Sequence, residues 1–202
     1  MNYYTVDFII FKEKSMKFLF LVITVLCFSF ISLRAQTILP ALDKSPMDMS
    51  YYPNKYPVLK IQDKITEPLV ARVIYSRPQK NGRVIFGELL EYGKVWRLGA
   101  NEATELEFYS DVKINDIKLK KGRYTMYGIP NAEKWTIIIN KETDTWGSFK
   151  YDEKNDLLRI DVPVQKQTAI TEEFVMVFEK SETGAGLIIA WDDVKLNLPI
   201  VF

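Results

Sequence analysis

Histidine is absent from this chain, and cysteine occurs once, at Cys27. Without imidazole there is no Ser-His-Asp or Cys-His nucleophile system, and the commonest ligand of zinc, copper and non-haem iron is missing. A lone cysteine forms no internal disulfide. An excess of either charge is lacking too: 27 Lys and Arg stand against 26 Asp and Glu. That balance gives no electrostatic case for nucleic acid or for an anionic membrane surface. Any catalysis must rest on carboxylates, Lys, Tyr, Ser or Thr, or on an oxygen-ligated ion such as calcium. The one acidic stretch with a hint of that last chemistry, Asp152 to Asp156, lacks the Gly and terminal Glu of an EF-hand loop and reads more simply as a charged turn. The sequence calls for no cofactor and no metal.

The apolar run from Phe18 to Leu33 follows Met16 and Lys17 and ends at Leu33-Arg34-Ala35. A basic residue, an apolar stretch and a small residue in that order are the layout of a secretory signal peptide. Its sixteen residues fall short of the ~20 that a membrane-spanning helix needs, which favours cleavage near Ala35 over retention. Residues 1–35 are therefore read as signal peptide, with 1–15 a start-site extension and 16–35 the signal proper. Leu26, before Cys27, is too bulky for lipoprotein processing. Cleavage removes Cys27, the basic Lys12, Lys14, Lys17 and Arg34, and the acidic Asp7 and Glu13, so charge stays near balance. The expected protein is periplasmic or secreted, not membrane-inserted after cleavage, with about 165 residues forming one domain.

Residues 36–56 hold three prolines and no sustained period, and read as an extended lead-in to a domain over 57–202. Beyond Pro57 the pattern has period two. Leu69, Ala71, Val73 and Tyr75 share a face, as do Leu106 and Phe108; Leu158, Ile160, Val162 and Val164; and Val194, Leu196, Leu198 and Ile200. One dry and one wet face is the mark of antiparallel strands. Trp135 to Asn140, Glu173 to Glu179 and Gly186 to Trp191 are apolar on both faces and are expected at sheet centres. Asn115-Asp116 predicts a hairpin turn, Gly122 a tight turn, and Pro78 and Pro130 strand ends. Phe86 to Gly93 is the only stretch with a helical cast. The fold class expected is all-β, an antiparallel β-sandwich, jelly-roll-like, of roughly nine to twelve strands.

Five stretches carry a resemblance: "YSRPQKNGRVIFG" (75–87), "VWRLGANEAT" (95–104), "GRYTMYGIP" (122–130), "WTIIINK" (135–141) and Trp146-Gly147. In order and spacing the chain resembles the domain-of-unknown-function family 2911 over residues 45–200. Where that pattern has Asn-Gly in the hairpin, this chain has Asn115-Asp116. The resemblance implies a secreted bacterial all-β domain and brings no activity or site residues.

Arg77, Arg83 and Arg97 flank two adjacent loops. Brought together, three guanidiniums suit a carboxylate, sulfate or phosphate. Alternatively Arg77 and Arg97 are neutralised by Glu102 and by Glu88 or Glu91, forming an internal brace. Trp96 is either a platform for stacking on a sugar ring or core filling. In the Gly99 to Thr104 loop, Asn101, Glu102 and Thr104 offer amide, carboxylate and hydroxyl groups to a ligand, or cap the loop's own backbone. Glu102 with Asp144 or Asp152 would supply the two acids of a glycan hydrolase, assisted by Tyr75, Tyr124 or Tyr127. The residues favour a non-enzymatic envelope module that binds a small polar, anionic or saccharide ligand at a mouth built from Arg77, Arg83, Trp96, Arg97, Asn101, Glu102 and Thr104. A histidine-free glycan hydrolase and a structural or protein-binding domain are the alternatives.

Overall fold

A computed structural model describes residues 16–20 and 38–202. The chain divides into two units, Met1–Ala41 and Leu42–Phe202. In the first, residues 16–20 are helical; the remainder of the signal-like run and the 1–15 extension lie outside the described residues. No helix among the described residues is long and apolar enough to cross a membrane.

The second unit is all-β. In chain order its elements are β1 (Met47–Tyr52), α1 (Tyr56–Ile61), β2 (Ala71–Ser76), β3 (Thr104–Phe108), β4 (Val112–Ile114) and β5 (Ile117–Leu119). There follow β6 (Gly122–Ile129), β7 (Lys134–Asn140), β8 (Asp156–Pro163), β9 (Gln165–Lys180) and β10 (Gly184–Val201). A six-stranded sheet runs β1-β2-β3-β6-β7-β8 and a four-stranded sheet runs β5-β4-β10-β9. Every pairing is antiparallel. The result is the all-β sandwich that the period-two segments predict. Ala71, Val73 and Tyr75 on β2, Leu106 and Phe108 on β3, and Val194, Leu196, Leu198 and Ile200 on β10 are all buried in one core. At its centre Trp96 stacks on Trp191, ring centroids 5.8 Å apart and 20° from parallel. Trp135, Phe174 and Phe86 pack edge-on around that pair. Asn115 and Asp116 turn the β4–β5 hairpin with φ of 47° and 65°, the two successive positive values that a type I′ turn requires.

Three features differ from expectation. Phe86 to Gly93 is a set of turns and bridges rather than a helix, and the regular helix of this unit is α1, six residues with Pro57 in its first turn and burying nothing. A proline at the first turn presets the helical φ, but one turn and a half is too short to show a 3.6 period. Within the segment read as a lead-in, Met47–Tyr52 is hydrogen-bonded as β1 along all of β2. The stretch Glu173–Glu179 lies in β9, at the edge of its sheet. Its backbone edge is covered, with Phe174 N donating to Pro78 O, Lys80 N to Glu172 O and Phe178 N to Ser50 Oγ, while Val177 on the outward face stays exposed. Covering an edge in this way removes a template for unwanted pairing.

β10 doubles back on itself. Its register against β9 shifts on both sides of Asp192, whose φ is 55°, and the strand's first residues consequently meet its last. Gly184 faces the Ile200 carbonyl oxygen and Gly186 the Asn197 side chain so closely that a Cβ at either position would collide.

Candidate functional site

The loop that joins Val95 to β3 is held by its own polar groups. Trp96 and Gly128 exchange backbone hydrogen bonds of 2.7 and 2.9 Å, fixing the loop to β6. Leu98 adopts φ 54°, a conformation that costs an L-residue about 1–2 kcal/mol, and is held there by full burial over Gly128. The Trp96 indole N–H donates to Gly99 O, Ser76 Oγ to Ala100 O, and Thr104 Oγ1 to Leu98 O. Asn101, at φ 59°, supplies a second reversal, and its carbonyl accepts from Gly147 N. Trp96 and Thr104 are thus buried parts of the scaffold, and Asn101 serves through its backbone.

The remaining polar side chains go to three places rather than one mouth. Arg77 donates to Asp48 Oδ2 at 3.0 Å and to Phe174 O at 3.3 Å, clamping β1 to β9. It is a brace, with Asp48 in place of the glutamates expected from the sequence. Arg97 and Arg83 line a cavity of about 240 Å³ together with Trp96 and Trp191. Glu102 lines a different cavity, of about 330 Å³, with Glu105, Asp144 and Trp146.

Arg97 differs from the other arginines. Its Nε is buried and has no acceptor, and no ion pair to it exists among the described residues. Burial pushes its pKa down. Arg72 also has an unmatched Nε, yet its Nη2 reaches Glu107 Oε2 at 2.6 Å. Arg83 is exposed, and its Nε and Nη2 donate to the carbonyls of Lys80 and Gln79. The turn bearing it is pinned to the β10 bend by Lys80 Nζ, 2.8 Å from Asp192 Oδ2.

The Glu102 cavity shares Asp144, Thr145 and Trp146 with a larger hollow of about 640 Å³ that Phe149, Lys150 and Asp152 help to line. Trp146 is 60% exposed and Phe149 84% exposed. Neither falls on a period-two strand; both belong to the loop between β7 and β8. That was the available signal in the sequence: bulky aromatics among turn residues, where no core needs them. The loop is anchored underneath. Asn140 is fully buried, donates Nδ2 to Asp152 O and to Asp156 Oδ1, and accepts Glu142 N at its Oδ1. Thr125 Oγ1 donates to Glu142 O, Tyr127 OH meets Thr145 Oγ1 at 3.1 Å, and Ala103 N donates to Thr145 O.

Five carboxylates, those of Glu102, Glu105, Glu142, Asp144 and Asp152, border the two hollows. Arg123 binds both Glu105 and Asp144, and its guanidinium holds the Asp144 carboxyl below the usual range. That is the wrong direction for a general acid at neutral pH, which needs its pKa raised. Asp152 caps a 3-10 turn, Glu153–Asn155, by accepting Lys154 N. Tyr75 and Tyr124 are buried core residues whose phenols burial pushes up. No group of three or more His, Cys, Asp or Glu among the described residues is placed to hold a metal ion.

The sequence model of a family described as "Protein of unknown function (DUF2911)" matches residues 57–200. The chain belongs to that family. No curated protein and no solved structure matches it.

Proposed function

We propose that this DUF2911 domain is an exported, non-catalytic module that binds a saccharide along the groove beneath Trp146. The carrying observation is the exposed indole at the junction of two hollows. An aromatic face carries partial negative charge and attracts the polarised C–H face of a sugar ring, while carboxylates alongside accept hydrogen bonds from its hydroxyls. Leaving a tryptophan 60% exposed forgoes part of the ~1.5–3 kcal/mol that burying a large apolar side chain supplies. The anchored loop supports the same reading, because a platform fixed in advance loses little entropy when ligand arrives. The hollows, at about 330 and 640 Å³, are of the size usual for small-molecule sites.

Charge narrows the ligand. Five carboxylates face Arg123 and Lys150 around the groove, so a neutral or amine-bearing sugar is favoured and a uronic acid is repelled. The depressed Asp144 is an ionised hydrogen-bond acceptor and not a general acid. Export rests on the signal-like sequence of residues 16–35.

The test is calorimetric titration of the purified chain with chito-oligosaccharide, cello-oligosaccharide and oligogalacturonate. Binding of one of the first two, lost in Trp146→Ala with the unfolding midpoint unchanged, is expected. Equal binding by Trp146→Ala, or preference for oligogalacturonate, overturns the assignment. Release of shortened sugars would replace the module with the hydrolase.

A further inference from the structure

The cavity under the 79–83 turn has a different chemistry from the groove and shares no wall residue with it. No acidic residue lines it. Its two cations are uncompensated: Arg97 has no acceptor for its buried Nε and no ion pair, and Arg83 bonds only to backbone carbonyls. Two unpaired guanidiniums on one small cavity raise the local potential, and an arriving anion relieves it. The carbonyls of Gln79 and Lys80 fix the plane of Arg83 while leaving Nη1 free. The salt bridge from Lys80 to Asp192 holds the turn that carries it. A planar guanidinium held in place this way suits a carboxylate.

Much of the remaining lining is apolar. Trp96 and Trp191 contribute to it with Leu89 and Leu90. Both indole N–H groups are already committed, Trp96 to Gly99 O and Trp191 to Glu172 O, so the rings offer apolar surface and no donor. An inorganic anion would satisfy the cationic groups and leave the apolar lining uncovered. A sugar would bring hydroxyls against these four side chains, which have nothing to receive them.

We propose that this cavity is a second binding site, for a small amphipathic carboxylate whose carboxyl group sits between Arg97 and Arg83 and whose aromatic or branched body packs on Trp96 and Trp191. At about 240 Å³ it is smaller than most drug-sized sites, which begin near 300 Å³, and so it suits a ligand of one ring or one short branched chain.

Benzoate is the probe, with benzamide as its uncharged isostere and phosphate as the anion without a body. Calorimetry on the full chain is expected to show saturable benzoate binding and none by benzamide. Arg97→Gln should weaken it about tenfold or more, as loss of a charge-assisted bidentate contact does. Arg83→Ala, at an exposed position, keeps the test open if Arg97→Gln folds poorly, and should weaken binding about threefold or more. Absence of saturation by benzoate up to about 10 mM, phosphate binding as tightly as benzoate, or unchanged affinity in a folded Arg97→Gln or Arg83→Ala overturns the proposal. The saccharide titration reads the other site, so either assignment can fail alone.

Discussion

Replacing Arg97 by methionine should stabilise the ligand-free protein, an unusual direction for a change beside the core. The Nε of Arg97 is buried without an acceptor. A buried unsatisfied polar group costs about 1–3 kcal/mol, and a charge without a partner adds to that. Part of the side chain remains in solvent, so the lower end applies. Methionine keeps most of the apolar stem that packs against the cavity and removes the orphaned donor. The expected gain is about 1 kcal/mol, or about 2–4 °C in Tm for a chain of this size. Urea unfolding in a buffer free of organic acids reads it as a higher midpoint at unchanged slope. Benzoate then separates the two proteins further, raising the midpoint of the parent by mass action and leaving Arg97→Met where it was. A loss of more than about 1 kcal/mol in the variant would mean that the guanidinium stabilises the fold. Arg97 would then be a structural brace.

Asn140→Ala removes three hydrogen bonds at once from a fully buried position. At about 1 kcal/mol each, unfolding free energy should fall by about 3 kcal/mol, measured by urea denaturation, and saccharide affinity should fall with it as the loop loosens. Asp111 gives an acid-labile contribution: the hydrogen bond from Lys120, then that from Lys121 N–H, holds its carboxyl at about 2 against an ordinary 3.8. A depressed folded pKa means stability present above the unfolded value and lost as pH falls toward the folded one. Melting temperature followed from about pH 5 to pH 2 should therefore decline less steeply in Asp111→Asn than in the parent.

The strands could be read from the sequence because their physics is local. Val194, Leu196, Leu198 and Ile200 alternate in the chain and are all buried, and two residues tolerant of positive φ announce the Asn115-Asp116 turn. β1 escaped notice since its alternation is inverted, the apolar Met47 and Met49 lying exposed while the polar Asp48 and Ser50 are the more buried. β9 looked central because Val175 and Val177 make its outward face apolar, whereas its place at the sheet edge is a tertiary fact absent from its own residues. The site was harder. Whether Arg97 and Glu102 share a mouth depends on the chain reversals at Leu98 and Asn101, and nothing in a leucine signals a left-handed φ. Arg83, Arg97 and Glu102 were visible as candidates, whereas their division between two cavities was not. Asp48 became the partner of Arg77 only through the β1–β2 register. Trp146 and Phe149 stood in the sequence as aromatics without a strand, a signal that gains meaning once the core is known to be complete without them.

Binding at Trp146 is read most directly by following the four tryptophans separately. In a two-dimensional NMR titration each indole Nε–H gives its own resonance. With the chito- or cello-oligosaccharide that binds, a progressive shift is expected at Trp146, with the buried Trp96, Trp135 and Trp191 unmoved. Saturable binding that shifts the buried indoles and leaves Trp146 in place would contradict binding there.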